Sequence, residues 1–458
     1  MADHSKDFRD DRRRALKLLG GAVGGLILGQ YGCSRDDTEP PKNIFAAPPL
    51  ANAYRFIRIV TPGQGGFPGM RRLTPGVMIN EAGEVLFYAE IEGQNAYALF
   101  KLTLDFSREI PQVVQTSTVA ATGMELPGGQ QVRRILTADT NALGHTAFVV
   151  DGFAKNDGKN VVEQAPTLYL HDRDQRIERV LGFSDGAPQG GSFGAALGDV
   201  DLSDENNILV VSSFATEAGE TEQGVFHLPE AKLSAAQTLI RSGQALRGTA
   251  AVNQSFGLID ARDDGHFLLQ THIQDAGMLK AAPGVSNAVL FQGNATAPPG
   301  AGRMMTGAGL LGMDQLGPGE LLLGPRAGIS ATGAWVEHYG EASDDKDQHQ
   351  VLFYSDGSDI HRIAETGSGI TAFSAPVLSG NGQMFFMQIN EQDNPGMELK
   401  VTNGANTQTI LARGQEVDGR KISTLMHGYH SEQADSKGRV VVYAEFDDEP
   451  ALLLGFPV

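Results

Sequence analysis

Four aspartates stand at the same place in successive copies of a repeated segment. Asp139, Asp201, Asp260 and Asp314 each lie five residues before the fourth position of a short turn signature. Equivalent positions on repeated inner strands form a ring about a common axis. Carboxylates gathered there repel one another unless something neutralises them. Backbone N–H donors could do so, and the aspartates would then lock neighbouring repeats together. A cation is the other way out. A hard ion such as calcium takes six to eight oxygens at ~2.3–2.6 Å, which aspartates and waters can supply. The four residues are therefore a candidate site for a cation or a polar ligand. Two carboxylates also suffice for glycoside chemistry. An envelope hydrolase or lyase acting on polysaccharide, with carboxylates and histidines at the channel mouth, is thus the alternative to a non-catalytic role.

Other chemistry is sparse. The chain has 458 residues and a single cysteine, Cys33. An internal disulfide, a thiolate metal site and an iron–sulfur site are excluded for the body of the protein. There is no P-loop. Gly307 to Gly312 matches G-x-G-x-x-G but precedes a strand pattern rather than a helix, so it reads as glycine-rich connection. His427 and His430 are three apart and would face opposite ways on a strand. The net charge of −19 excludes nucleic acid as a partner, because phosphate binding needs a basic face.

The elements that position these residues come from the repeat. Asn80-Glu81-Ala82-Gly83 precedes Glu84-Val85-Leu86-Phe87, a turn signature feeding a strand. A type I turn favours Asn, Asp or Ser first and Gly fourth. Cousins recur at Asn141 to Phe148, Ser203 to Val210, Arg262 to Leu269, Leu316 to Leu323, Ser379 to Phe386 and Asp435 to Val442. The fourth positions fall at 83, 144, 206, 265, 319, 382 and 438, a period of about 59 residues. Each copy carries a strand before the turn and two or three after it. Four antiparallel strands per repeat predict the blade of a β-propeller. The last copy stops after its third strand, while Tyr54 to Val60 is an orphan strand at the front. The expectation is an all-β, seven-bladed propeller over residues 54–458, its last blade closed three-plus-one by the N-terminal strand, as a monomer.

Residues 1–33 read as an export signal. Arg12-Arg13-Arg14-Ala15-Leu16-Lys17 precedes the apolar run Leu18 to Leu28, too short to span a membrane. The pattern resembles a twin-arginine signal read through Arg12 and Arg13; an ordinary Sec signal is the alternative. Cys33 follows Gly32 just past the apolar run, which resembles a lipoprotein processing site. Residues 34–53 hold Pro40, Pro41, Pro48 and Pro49 among polar and small residues, the composition of a flexible tether. The repeat itself resembles exported bacterial propellers of the TolB-like and N-x-x-G-x-V-x-F tandem-repeat types. That resemblance implies fold and compartment, the periplasmic side of the envelope, and no particular chemistry.

Loop lengths predict which face is busy. Asp151–Pro166, Ala215–Gly224, Gln274–Ser286 and Pro325–Gln350 read as long loops between second and third strands. The last holds the only tryptophan, Trp335, with His338 and Tyr339, a candidate interaction loop. A packing role for Trp335 is the alternative. Together these features predict a lipid-anchored binding or interaction scaffold in the envelope. Its partner would be an envelope protein or a saccharide, and its membrane contact the lipid alone.

Overall fold

The computed structural model describes residues 49–63, 66–156, 160–244, 251–261, 265–274, 288–298, 302–306, 320–323, 328–329, 335–342, 349–355, 360–391, 396–427, 433–447 and 449–458. The protein is an all-β propeller. Among the described residues there are seven antiparallel sheets of four or five strands, which we number as blades 1 to 7 along the chain. Blade 1 is Met70–Ile79, Glu84–Ile91, Tyr97–Asp105 and Gln112–Ala121 in that spatial order. Blade 7 is made of Thr424–Met426, Val440–Phe446, Glu449–Pro457 and, from the other end of the chain, Tyr54–Val60. Tyr54 pairs with Pro457 and Ile57 with Leu454, so the N-terminal strand completes the last blade as the repeat count predicts.

The apolar runs are continuous because each sheet is buried on both faces. In blade 1, Val85, Phe87 and Ala89 pack against blade 7, while the alternate residue Leu86 packs against blade 2. In blade 7, Val440, Val442 and Ala444 face blade 6, and Val441 and Tyr443 face blade 1. The cluster uniting Ile59, Val60 and Leu452 with Phe87 and Phe100 closes the ring between last and first blades. Period-two alternation thus becomes blade-to-blade packing.

The turn signature does two jobs. Its first residue closes the turn it sits in: the Asn80 Oδ1 accepts from the Glu84 N–H at 2.8 Å, and the Asn141 Oδ1 from the His145 N–H at 3.0 Å. The amide nitrogen then reaches the next blade. Asn80 Nδ2 donates to the Asn141 carbonyl at 2.6 Å, and Asn141 Nδ2 donates to the Ser203 carbonyl at 2.8 Å. The fourth position is left-handed, with φ of 84° at Gly83, 81° at Gly144 and 60° at Asn206. That conformation suits glycine and is tolerated by asparagine. At the closing junction Asp435 replaces asparagine. There the neighbouring turn is held by Ser436 N–H on the Glu81 carboxylate at 2.6 Å and by Arg439 Nη2 on the Glu81 carbonyl at 3.1 Å.

Two expectations are corrected. The stretch Asp151–Pro166 is mostly strand, and Ala215–Gly224 is loop only over residues 216–220: Thr146–Asn156 pairs with Asn160–His171, and Ile208–Ala215 with Thr221–Leu228. A hairpin that projects into solvent can be polar on both faces, so polarity alone does not mean loop. Residues 275–286 of Gln274–Ser286 lie outside the described residues. The fifth repeat is also out of register. Glu320–Leu323 is the first strand of blade 5 and not the strand after a turn at Gly319. It pairs with Trp335–Ala342, as does Gly328–Ile329. The sequence between Ile329 and Trp335 holds Ser330-Ala331-Thr332-Gly333, a closer match to the signature than Leu316 to Gly319.

Candidate functional site

The aspartate ring can be tested by strand register. On each inner strand the candidate position pairs with the residue eight further on: Met78 with Leu86, Asp139 with Ala147, Asp201 with Leu209, Asp260 with Leu268, and Val377 with Phe385. The corresponding pair in blade 5 is Gly328 with Val336. Asp139, Asp201 and Asp260 are therefore equivalent, and Asp314 is not. Asp314 also lies outside the described residues, as does the side chain of Asp260.

Asp139 and Asp201 are buried, at 4% and 6% exposure. The Asp139 carboxylate accepts from its neighbour, the Thr140 N–H, at 2.6 Å, and from the Leu202 N–H of blade 3 at 2.5 Å. It is a bridge between blades 2 and 3, so the locking alternative holds for this residue. Each carboxylate oxygen accepts one backbone N–H in a charge-assisted bond. Burial, then the carboxylates of Asp139 and Asp199, push the Tyr88 hydroxyl above its ordinary range. Among the described residues no three of His, Cys, Asp and Glu converge as metal ligands.

Trp335, His338 and Tyr339 are not on a loop. They lie on the strand Trp335–Ala342, where His338 pairs with Leu352 and Tyr339 with both Leu323 and Val351. The loop expectation came from the misplaced turn of this blade. Their side chains are outside the described residues. Arg12, Arg13 and Cys33 are outside them as well. The end of the tether is described, and it is docked. Gln383 Nε2 donates to the Pro49 carbonyl at 3.1 Å, Val458 N–H donates to the Ala53 carbonyl at 3.1 Å, and Leu50 packs on the core between blades 6 and 7.

A cleft that sequence reasoning missed lies on blade 2, with a volume of about 260 Å³. Its floor is Gln130, at the start of the inner strand Gln130–Thr140, and Tyr169, on the third strand Asn160–His171. Its walls include Glu163 and Thr167 from the third strand, Arg179 from the fourth strand Ile177–Leu181, and Phe183 from the connection that follows. The Tyr169 hydroxyl donates to Gln130 Oε1 at 2.9 Å, and burial pushes its pKa up to about 12, so it stays a neutral donor. Gln130 Nε2 is buried with no partner among the described residues. Glycine makes that space: a Cβ at Gly152 would sit 3.1 Å from Gln130 Nε2 and 2.1 Å from the Gln131 carbonyl. Arg179 is held by Asp185 at 3.0 Å. Phe183 is 57% exposed. An aromatic in the glycine-rich connection Gly182–Gly194 was the one signal that could have drawn attention here.

No family model matches the chain, and no curated protein does. Solved structures do. The β-propeller domain of the Trilobed protease from Pyrococcus furiosus aligns at 10% identity and TM-score 0.43, covering 84% of this chain and 95% of that one. The polysaccharide lyase Uly1 aligns at 9% identity and TM-score 0.45, covering 89% of this chain and 98% of that one. An acylaminoacyl peptidase from Pyrococcus horikoshii aligns at 10% identity and TM-score 0.45, covering 84% of this chain and 51% of that one. The fold assignment rests on the chain's own blade topology.

Proposed function

We propose that the protein is an exported, lipid-anchored propeller that serves as a binding or interaction scaffold in the cell envelope. The repeat belongs, in this reading, with the N-x-x-G-x-V-x-F and TolB-like types of exported propeller. Cys33 carries the lipid, residues 34–48 span the gap, and the ring is the working part. The carrying observation is where the chain enters the ring. Pro49 and Leu50 dock beside Gln383, which follows the tight turn of blade 6. The tether thus leaves from the tight-turn face. Second-to-third strand hairpins and blade-to-blade connections point the opposite way, and with them the cleft on blade 2. An anchored propeller held by its turn face presents its variable face outward, as a scaffold must. The alternative is an envelope hydrolase or lyase that acts on polysaccharide through carboxylates at the channel mouth.

Fractionation tests the anchor. Cys33→Ala should move the protein from membrane to soluble periplasmic fractions, and Arg12-Arg13 to Lys-Lys should leave unprocessed precursor in the cytoplasm. A wild-type protein already soluble in the periplasm refutes the lipid, and continued processing of the Lys-Lys variant refutes the twin-arginine route.

A further inference from the structure

We draw no further inference here: the strongest candidate, the two arginine pairs Arg71–Arg72 and Arg133–Arg134 that equivalent β-bulges set on the inner strands of blades 1 and 2, carries nothing, because Asp151 and Glu163 already pair with the second, Glu90 lies opposite the first, and nothing in the structure points to an anionic ligand between them.

Discussion

Asn141 separates the two jobs of the turn signature. Its side chain is 3% exposed. Oδ1 accepts from the His145 N–H at 3.0 Å, which closes the turn. Nδ2 donates to the Ser203 carbonyl at 2.8 Å and to Asn206 Oδ1 at 2.9 Å, which ties blade 2 to blade 3. Asn141→Ala orphans the His145 N–H, at a cost of ~1–3 kcal/mol, and removes two donated bonds of ~0.5–1.5 kcal/mol each. The Ser203 carbonyl still accepts from the Asn206 N–H at 2.9 Å, so it is not orphaned. The expected loss is about 2–6 kcal/mol. Asn141→Asp is the decisive variant. It keeps the oxygen that closes the turn, and aspartate is favoured at a turn's first position. It also sets a carboxylate oxygen against two acceptors, which repels where asparagine attracted. The latch therefore predicts that Asp is at least as destabilising as Ala. A turn-only role predicts that Asp is nearly neutral. Blade 7 tolerates Asp435 because the buried Arg439 pairs with it; blade 2 has His145, not Arg, at the matching place. Urea unfolding reads the difference as a midpoint shift at constant slope. An Asn141→Asp protein as stable as wild type refutes the latch.

Deletion of residues 54–60 removes Ile57, Ile59 and Val60, which are 9%, 3% and 0% exposed, from the core between blades 7 and 1. At ~1.5–3 kcal/mol for each buried side chain, plus an opened sheet edge, the loss is about the whole stability of a typical domain. An unchanged melting temperature in the truncated protein would sink the closure argument. Acid should weaken the fold as well. Burial lowers His427 to about 3, and burial with the nearby Lys101 lowers His171 to about 4. The unfolded chain then binds protons that the folded chain refuses. Stability present at neutral pH is lost as pH falls through ~6.5 toward those values, roughly 2 kcal/mol from His427 alone at pH 5. His427→Gln should shrink the loss between pH 7 and pH 5, measured by urea midpoint; an equal loss in that variant places the acid sensitivity elsewhere.

Much of this fold is local information. The turn signature works through residues three and four apart, and strand alternation through residues two apart. Asn80-Glu81-Ala82-Gly83 and the run Val85-Leu86-Phe87 therefore announce a blade from the sequence alone. So does the orphan strand Tyr54 to Val60, because a missing fourth strand at one end matches a surplus strand at the other. The equivalence of Asp139, Asp201 and Asp260 is legible for the same reason: each is counted from its own turn. Blade 5 is where local counting failed. Pro318-Gly319 followed by Glu320 to Leu323 imitates turn and strand, while Ser330 to Gly333 is the stretch the paired strands enclose. Only pairing between strands tells them apart, and pairing is non-local. That slip removed Asp314 from the ring and put Trp335, His338 and Tyr339 on a strand. The use made of Asp139 is tertiary too, since its second partner, the Leu202 N–H, is 63 residues away in the next blade. The cleft is tertiary entirely. Gln130, Glu163, Arg179 and Phe183 have no common spacing, and they meet because blade 2 folds its inner strand, its outer strands and its exit connection to one edge.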